Sequence, residues 1–323
     1  MPERFEKEPG SSHYILGSLL FIIGLLVLIL IINLRSRADD SSTQVSLNNS
    51  TPVVDTLTFS ETSQGASIDN FTVNENTTKP LYIYGTYHDD NGCSDVTTLG
   101  FVLYGGSSVG GTSCSYNDAN CYNQNSTGYT CNFTSVGSNT CDGGTDTTAD
   151  YVCSVPVQFF ADATDDGPYS GNDWVARVSA TDAATTTGYY DSGILTFYTL
   201  SALDVGSSIN YGSLALGSSS TTDIPVTITN TGNNNSLDVN LSGTDMSCTV
   251  GTIPVGNQHY STTAAQSYGS MTALTSTPTL QLLGLTKATS AGSPSTDDLY
   301  WKIQIPSSGV AGSCTGTTTF SAI

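Results

Sequence analysis

From Tyr14 to Leu34 the chain reads YILGSLLFIIGLLVLILIINL, an apolar run interrupted only by Gly17, Ser18, Gly24 and Asn33. Coiled as a helix, about 20 residues rise about 30 Å, the thickness of a bilayer's hydrocarbon core. The pattern predicts a membrane-spanning helix over 14–34 preceded by a short tail, 1–13. Residues 35–55 are polar, lack helical period and predict a flexible stalk. Beyond them come short runs of β-branched and aromatic residues split by Gly, Asn, Asp and Pro: PLYIYGTYHD (80–89), TLGFVLYG (98–105), YVCSVPVQFFAD (151–162), DWVARVSATD (173–182) and GILTFYTL (193–200). Alternation at spacing two, as in Trp174-Val175-Ala176-Arg177-Val178, marks half-buried antiparallel strands. Many short strands without amphipathic helices predict an all-β exterior of sandwiches. A change of texture near Ser201 divides it into 56–200 and 201–323, with Trp174 and Trp301 as core anchors.

The flanks decide how the apolar run is used. It exceeds the 7–15 apolar residues of a cleavable signal, and Arg35-Ser36-Arg37 follows it where a small-residue cleavage site would stand. It is therefore expected to stay as a signal-anchor. The basic residues balance, Arg4 and Lys7 before the span against Arg35 and Arg37 after it, so charge alone does not orient it. All eight Cys and every N-x-[ST] sequon follow Arg37, and both suit an oxidising exterior. The tail 1–13 is placed in the cytoplasm and everything after Arg37 outside. An alternative resemblance is to pilin-like subunits, in which a leader ending in Gly precedes a hydrophobic helix and a β-rich head. Gly10 fits that pattern. Glu8-Pro9 before it and Ile15 at its fifth following position depart from it.

Charge narrows the partners. The chain has 28 acidic against 8 basic residues, a net of −20, which excludes a phosphate-neutralising nucleic-acid binder. After Arg37 only Lys79, Arg177, Lys287 and Lys302 are basic. So acidic an exterior fits solubility by self-repulsion, adaptation to salt, or binding of divalent cations.

Cysteine arithmetic predicts disulfides within each module. Cys248 with Cys314 is the one pair available to the second. The first holds six, for which a nested order is expected around the polar insertion 105–150: Cys121–Cys131 inside Cys114–Cys141 inside Cys93–Cys153. No C-x-x-C occurs, and His88 and His259 have no partner at ligand spacing, so a metal–thiolate site is not expected.

Among candidate chemistries, Gly106-Ser107-Ser108-Val109-Gly110 matches G-x-S-x-G. A nucleophile elbow needs a following helix and a downstream His in the same domain, and neither is predicted, so no enzyme is expected. Two acidic stretches are candidate Ca²⁺ loops: Asp89-Asp90-Asn91-Gly92 with Asp95, and Asp162, Asp165 and Asp166 with Asp173 and, nearby, Asp182. Carboxylates, amides and carbonyls at that density can supply the six to eight oxygens Ca²⁺ takes. The same residues also make plain turns. Tyr82, Tyr84, Tyr87 and the pair Tyr189-Tyr190 could stack on sugar rings or serve as ordinary strand pairs. Sequons stand at Asn48, Asn49, Asn70, Asn76, Asn125, Asn132, Asn234 and Asn240.

The second module carries a resemblance. Ile224-Pro225-Val226-Thr227-Ile228-Thr229-Asn230-Thr231-Gly232-Asn233, followed by Leu237-Asp238-Val239-Asn240-Leu241, resembles the V-x-I-x-N-T-G-N…L-x-V pattern of Ig-like surface modules of the ASH and CARDB type. The final stretch, LYWKIQIPSSGVAGSCTGTTTFSAI, is similar to the closing strands of prokaryotic surface proteins. In its D-x-x-D-D-G and W-x-A-x-V-x-A-T-D runs the first module loosely resembles cadherin-like and PKD-like sandwiches. The resemblance implies two Ig-like sandwiches on a membrane anchor, with a structural or adhesive role toward a glycan or protein on a neighbouring surface. A filament subunit is the alternative.

Overall fold

The computed structural model describes residues 12–33, 42–133, 136–206 and 208–323, with side chains of the helix described from Leu16 to Ile31. The chain divides into two compact units, Met1–Asn48 and Asn49–Ile323.

In the first unit, α1 runs over Ser12–Asn33. Its side chains from Leu16 to Ile31 are all exposed, although a helix apolar on every face is one that calls for burial on all sides. That stretch rises about 24 Å, and among the described residues no helix is long and apolar enough to cross a membrane. Of the predicted span 14–34, residues 14–33 lie on α1, and of the predicted tail 1–13, Ser12 and His13 open the same helix. Residues 1–11 and 34–41 lie outside the described residues. The predicted stalk ends earlier than 55, because Val53 and Val54 pair with Tyr87 and His88 and Val54 is buried. A branched apolar pair beside an open sheet edge is better placed in the ladder than in water.

The second unit opens with a sandwich of two sheets. In chain order its strands are β1 (Val53–Val54), β2 (Thr58–Ser60), β3 (Asn70–Thr72), β4 (Lys79–His88), β5 (Val96–Tyr104), β6 (Cys121–Asn123), β7 (Thr130–Asn132), β8 (Thr148–Val157), β9 (Val175–Asp182), β10 (Thr187–Asp191) and β11 (Thr196–Tyr198). One sheet has the order β1-β4-β8-β7, with β2 also on β4; the other is β10-β9-β5-β6. A short parallel pair, β3 with β11, is separate from both. Buried residues alternate along β4 and β9. Leu81, Ile83, Tyr151 and Val155 from one sheet therefore meet Leu99, Phe101, Leu103, Ala176 and Val178 from the other in a single core. Trp174 lies at its edge, fully buried and stacked on Phe197 at 4.3 Å between centroids.

The remaining strands are β12 (Leu203–Val205), β13 (Ile224–Asn230), β14 (Leu237–Gly243), β15 (Met246–Val250), β16 (Thr252–Ile253), β17 (Gln258–Ser261), β18 (Thr272–Ala273), β19 (Thr279–Leu285), β20 (Ser295–Ile303), β21 (Ala311–Thr315) and β22 (Thr318–Ala322). Three sheets result: β12-β13-β20-β17-β18, β19-β14-β22 and β16-β15-β21. The first two face each other through a smaller core of Val226, Ile228, Val239, Leu241, Tyr260, Leu299 and Trp301. Trp301 is the second buried anchor, with Tyr260 and Phe320 at 5.4 and 5.9 Å.

All eight cysteines are paired. Cys248 joins Cys314, directly opposite it in the β15–β21 register. The nested order in the first module is corrected to Cys93–Cys141, Cys114–Cys121 and Cys131–Cys153. Strand register is the cause. β7 folds back onto β8 and sets Cys131 opposite Cys153, which removes Cys153 from reach of Cys93. Cys93 is held instead beside the returning loop, its N–H donating to the Asp146 carbonyl at 2.7 Å. Cys114 and Cys121 close the tight turn leading into β6.

Among the described residues every Lys and Arg is ion-paired: Lys79 with Glu61, Arg177 with Asp191, Lys287 with Asp162 and Lys302 with Asp223. The last two lysines are buried.

Candidate functional site

The first acidic stretch is built by the turn that leaves β4. Gly92 N–H donates to the Asp89 carbonyl at 2.9 Å and a short 3-10 turn, Cys93–Asp95, carries the chain into β5. β9 ends alongside at Asp182, where Ala183 N–H donates to the Asp95 carbonyl at 2.9 Å. Asp89, Asp95 and Asp182 thereby converge, each offering a carboxylate oxygen within 4.8 Å of the other two. Asp89 and Asp182 are buried and Asp95 is half-buried. Asp89 Oδ1 accepts from Asn91 N–H at 2.8 Å, while its Oδ2 is closed to solvent and has no hydrogen-bond partner. Burial pushes the Asp89 carboxyl above the ordinary carboxylate range; the Asn91 N–H works the other way, and the charges of Asp95, Asp182 and Asp90 add to the rise. Burial acts on Asp182 in the same sense, but hydrogen bonds from Thr186 and Asn49 outweigh it and hold that carboxyl low. The entering chain is fastened at the same place: Asn49 Nδ2 donates to Asp182 Oδ2 at 2.7 Å and Ser50 N–H to Asn91 Oδ1 at 2.5 Å.

Sequence order set Asp182 beside the second acidic stretch. β9 carries it to the opposite end of its strand, into the first. The second stretch does not gather at one point. Asp162 accepts from Ser107 N–H and Oγ and faces Lys287. Asp165 accepts from Thr199 N–H and Oγ, Asp166 from Gly167 N–H, and Asp173 from Thr164 Oγ. Each has a donor of its own, and among the described residues the carboxylates that gather closely enough to share a cation are Asp89, Asp95 and Asp182.

Asp162 belongs instead to the junction of the two sandwiches. Lys287, from the loop between β19 and β20, reaches its Oδ1 at 3.0 Å and donates to the Phe160 carbonyl at 2.7 Å. Phe159, Phe160 and Ala288 close over the pair. The N-T-G-N run that reads as a hairpin turn is the other half of this junction. Asn230 Nδ2 donates to the Asn234, Leu285 and Thr286 carbonyls, and Thr231 Oγ donates to Glu75 at 2.9 Å. A side-chain carbon on Gly232 would stand 2.0 Å from the Leu200 carbonyl oxygen, so only glycine lets the backbones approach. Asn233, fully buried, accepts from Leu200 N–H at 2.6 Å and donates to the Ala161 and Tyr198 carbonyls at 3.1 and 3.2 Å. Replacing Asn233 with Ala strands these three groups, at roughly 1 kcal/mol or more each. Denaturant unfolding is expected to show a loss of about 3 kcal/mol, and limited proteolysis new cleavage between 198 and 203. The motif was visible in sequence; its partner surface was not.

The G-x-S-x-G run forms a turn against Asp162, with Gly106 at φ 57° and Ser107 as the hydrogen-bonding serine. Ser108 Oγ is buried without a partner, and a 3-10 turn, Gly111–Ser113, follows in place of a helix. The tyrosines separate by parity. Tyr87 faces the core, its hydroxyl on the Phe133 carbonyl, whereas Tyr82 and Tyr84 lie half-buried on the outer face. On the outer face of the second sheet, Arg177 forms a two-bond pair with Asp191 and its guanidinium sits 4.0 Å over the exposed Tyr189 ring. Beside it lies an open cavity of about 360 Å³ lined by Thr98, Asn123, Gln124, Arg177, Ser179 and Thr181. Six sequon asparagines (Asn48, Asn49, Asn70, Asn76, Asn125 and Asn132) are exposed; Asn234 and Asn240 are half-buried.

These features define a disulfide-stapled, predominantly β protein whose two sandwiches share a polar junction. No family model matches the chain, and no curated protein matches it. Among solved structures the chain is similar to one described as "BspA_C_WT", over 82% of this chain and 95% of that one, at 12% identity and a TM-score of 0.22. It is similar to the C-terminal domain of the Streptococcus agalactiae AgI/II polypeptide BspA over 84% and 95%, at 13% identity and 0.20. A third is the C-terminal domain of the Streptococcus pyogenes antigen I/II-family protein AspA, over 84% and 100%, at 10% identity and 0.22. At these TM-scores the likeness carries no argument about this chain.

Proposed function

We propose that the chain is a membrane-anchored surface protein whose two Ig-like sandwiches act as one rigid structural or adhesive element. The observation that carries this reading is the junction: Lys287, Asn233 and Gly232 tie modules, each closed by its own disulfides, into one compact unit. A linker would let the modules swing, whereas a buried, hydrogen-bonded joint holds a contact face at a fixed distance and angle. In this reading the apolar run 14–34 serves as the anchor, and the eight paired cysteines suit an oxidising exterior. The contact face is the groove beside Arg177 and Tyr189, whose hydroxyl and amide lining, with the Tyr189 ring stacked on the lining Arg177, suits a hydroxyl-rich partner such as a glycan.

Intact mass of the protein extracted from its native membrane tests this. The expected mass starts at or near Met1 and rises by about eight hydrogens on reduction, with sugar-sized increments if the exposed sequons are occupied. A mass beginning at Ser11, with fibres in the preparation, would replace the anchor by the filament-subunit reading. A mass beginning just after Arg37 would mean a released protein.

A further inference from the structure

We propose that Asp89, Asp95 and Asp182 form a Ca²⁺ site that fixes the point where the chain enters the first sandwich. Three carboxylates within 4.8 Å of one another repel strongly at the low effective dielectric of a half-closed site. None of the basic side chains described relieves them, because Lys79, Arg177, Lys287 and Lys302 are each paired elsewhere. A second observation is independent of the clustering. Asp89 Oδ2 is shut away from water without a donor, a condition that costs free energy unless something positive meets it. Asn91 N–H already occupies the other oxygen, so the turn's own hydrogen bonding leaves Oδ2 open.

The donor set selects the ion. All-oxygen ligands call for a hard cation. A tight turn supplying carboxylates of unequal burial suits the variable six-to-eight coordination of Ca²⁺ better than the strict octahedron of Mg²⁺. The turn is braced from both sides, by Cys93–Cys141 next to Asp95 and by the Thr186 and Asn49 bonds on Asp182. The site is linked to the incoming chain through Asn49 on Asp182 and Ser50 on Asn91. A bound cation would therefore hold the first residues of the compact unit as well as the turn. Asp90 is close enough to add to the negative field and is not needed as a ligand.

The full-length chain in detergent, stripped with EDTA, is titrated with CaCl₂ by calorimetry and followed in thermal unfolding. One saturable site per chain is expected. At about a hundredfold excess over Kd the midpoint should rise by about 5 °C, and protease cleavage around 42–52 should slow. MgCl₂ should bind at least tenfold more weakly. Asp182→Asn and Asp95→Asn should each weaken Ca²⁺ at least tenfold with all four disulfides still formed by mass. Asp89→Asn separates this reading from an Asp89 that simply keeps its proton. A cation site loses its Ca²⁺ response in that variant. A protonated Asp89 leaves a stable variant and a wild type whose midpoint ignores Ca²⁺, which would overturn the proposal. An equal response to Mg²⁺, undiminished in Asp182→Asn, would mean diffuse binding to an acidic surface and overturn it as well.

Discussion

Replacing Lys287 with Met is expected to destabilise the double sandwich by about 3–5 kcal/mol. The lysine is 9% exposed and its partner Asp162 1%, so neither charge has water to fall back on. Methionine fills much of the same volume against Phe160, so packing survives while the charge does not. What remains is a buried carboxylate supported only by the Ser107 N–H and hydroxyl, together with a Phe160 carbonyl that has lost its lysine donor. Removing one partner of a buried pair costs far more than the pair's net contribution, so the double change Lys287→Met with Asp162→Asn should recover a large part of the loss. Urea unfolding of the full chain in detergent reads both. The single variant should also split one transition into two, because the ion pair links modules that otherwise hold separate cores. An unchanged midpoint and a single transition would show that the joint does not depend on this pair.

The second large effect is expected from Cys248→Ala with Cys314→Ala. The bond spans 66 positions, and in the chain-entropy model closing such a loop stabilises by roughly 4 kcal/mol. The location makes the loss local. β15, β16 and β21 form a sheet of their own whose apolar support is a small cluster of Ile253, Ile303 and Val310, with Tyr211, Leu214, Met246, Ile305 and the two cysteines packed against it. Hydrogen exchange should accelerate over 246–253 and 311–315 before it does in β13, β14 or β20, where Trp301 anchors the core. Equal acceleration across the module would mean that the bond constrains the whole sandwich and not this sheet.

The strand runs were legible because a half-buried strand must alternate. PLYIYGTYHD lies on β4 and DWVARVSATD on β9 to within a residue or two at either end. YVCSVPVQFFAD was legible only in part: Tyr151–Val157 lies in β8, but Phe159–Asp162 turns away to build the junction. The cysteine order was not legible, since it follows from which residue of β7 stands opposite Cys153, and spacing along the chain says nothing of register. The candidate site was half legible. Asp89 and Asp95 share one turn, so spacing along the chain was enough to place them together. Asp182 arrives from another strand, and Asp162, Asp165, Asp166 and Asp173 look alike in sequence until each is seen with its own donor. Lys287 gave no signal at all, because a lysine in a polar loop reads as a solvated charge until the facing surface is known.

The ion pairing of every described lysine and arginine has a consequence for crowds of this molecule. With the described basic groups already matched, two of them inside, most of the described carboxylates face outward with few bases intermixed to neutralise them. Copies standing shoulder to shoulder then push one another apart over a range set by mobile salt, about 10 Å at 0.1 M and about 3 Å at 1 M. A dense lawn of such chains would swell in dilute medium and draw together in brine, its spacing governed by the surrounding ions with no change in any single chain.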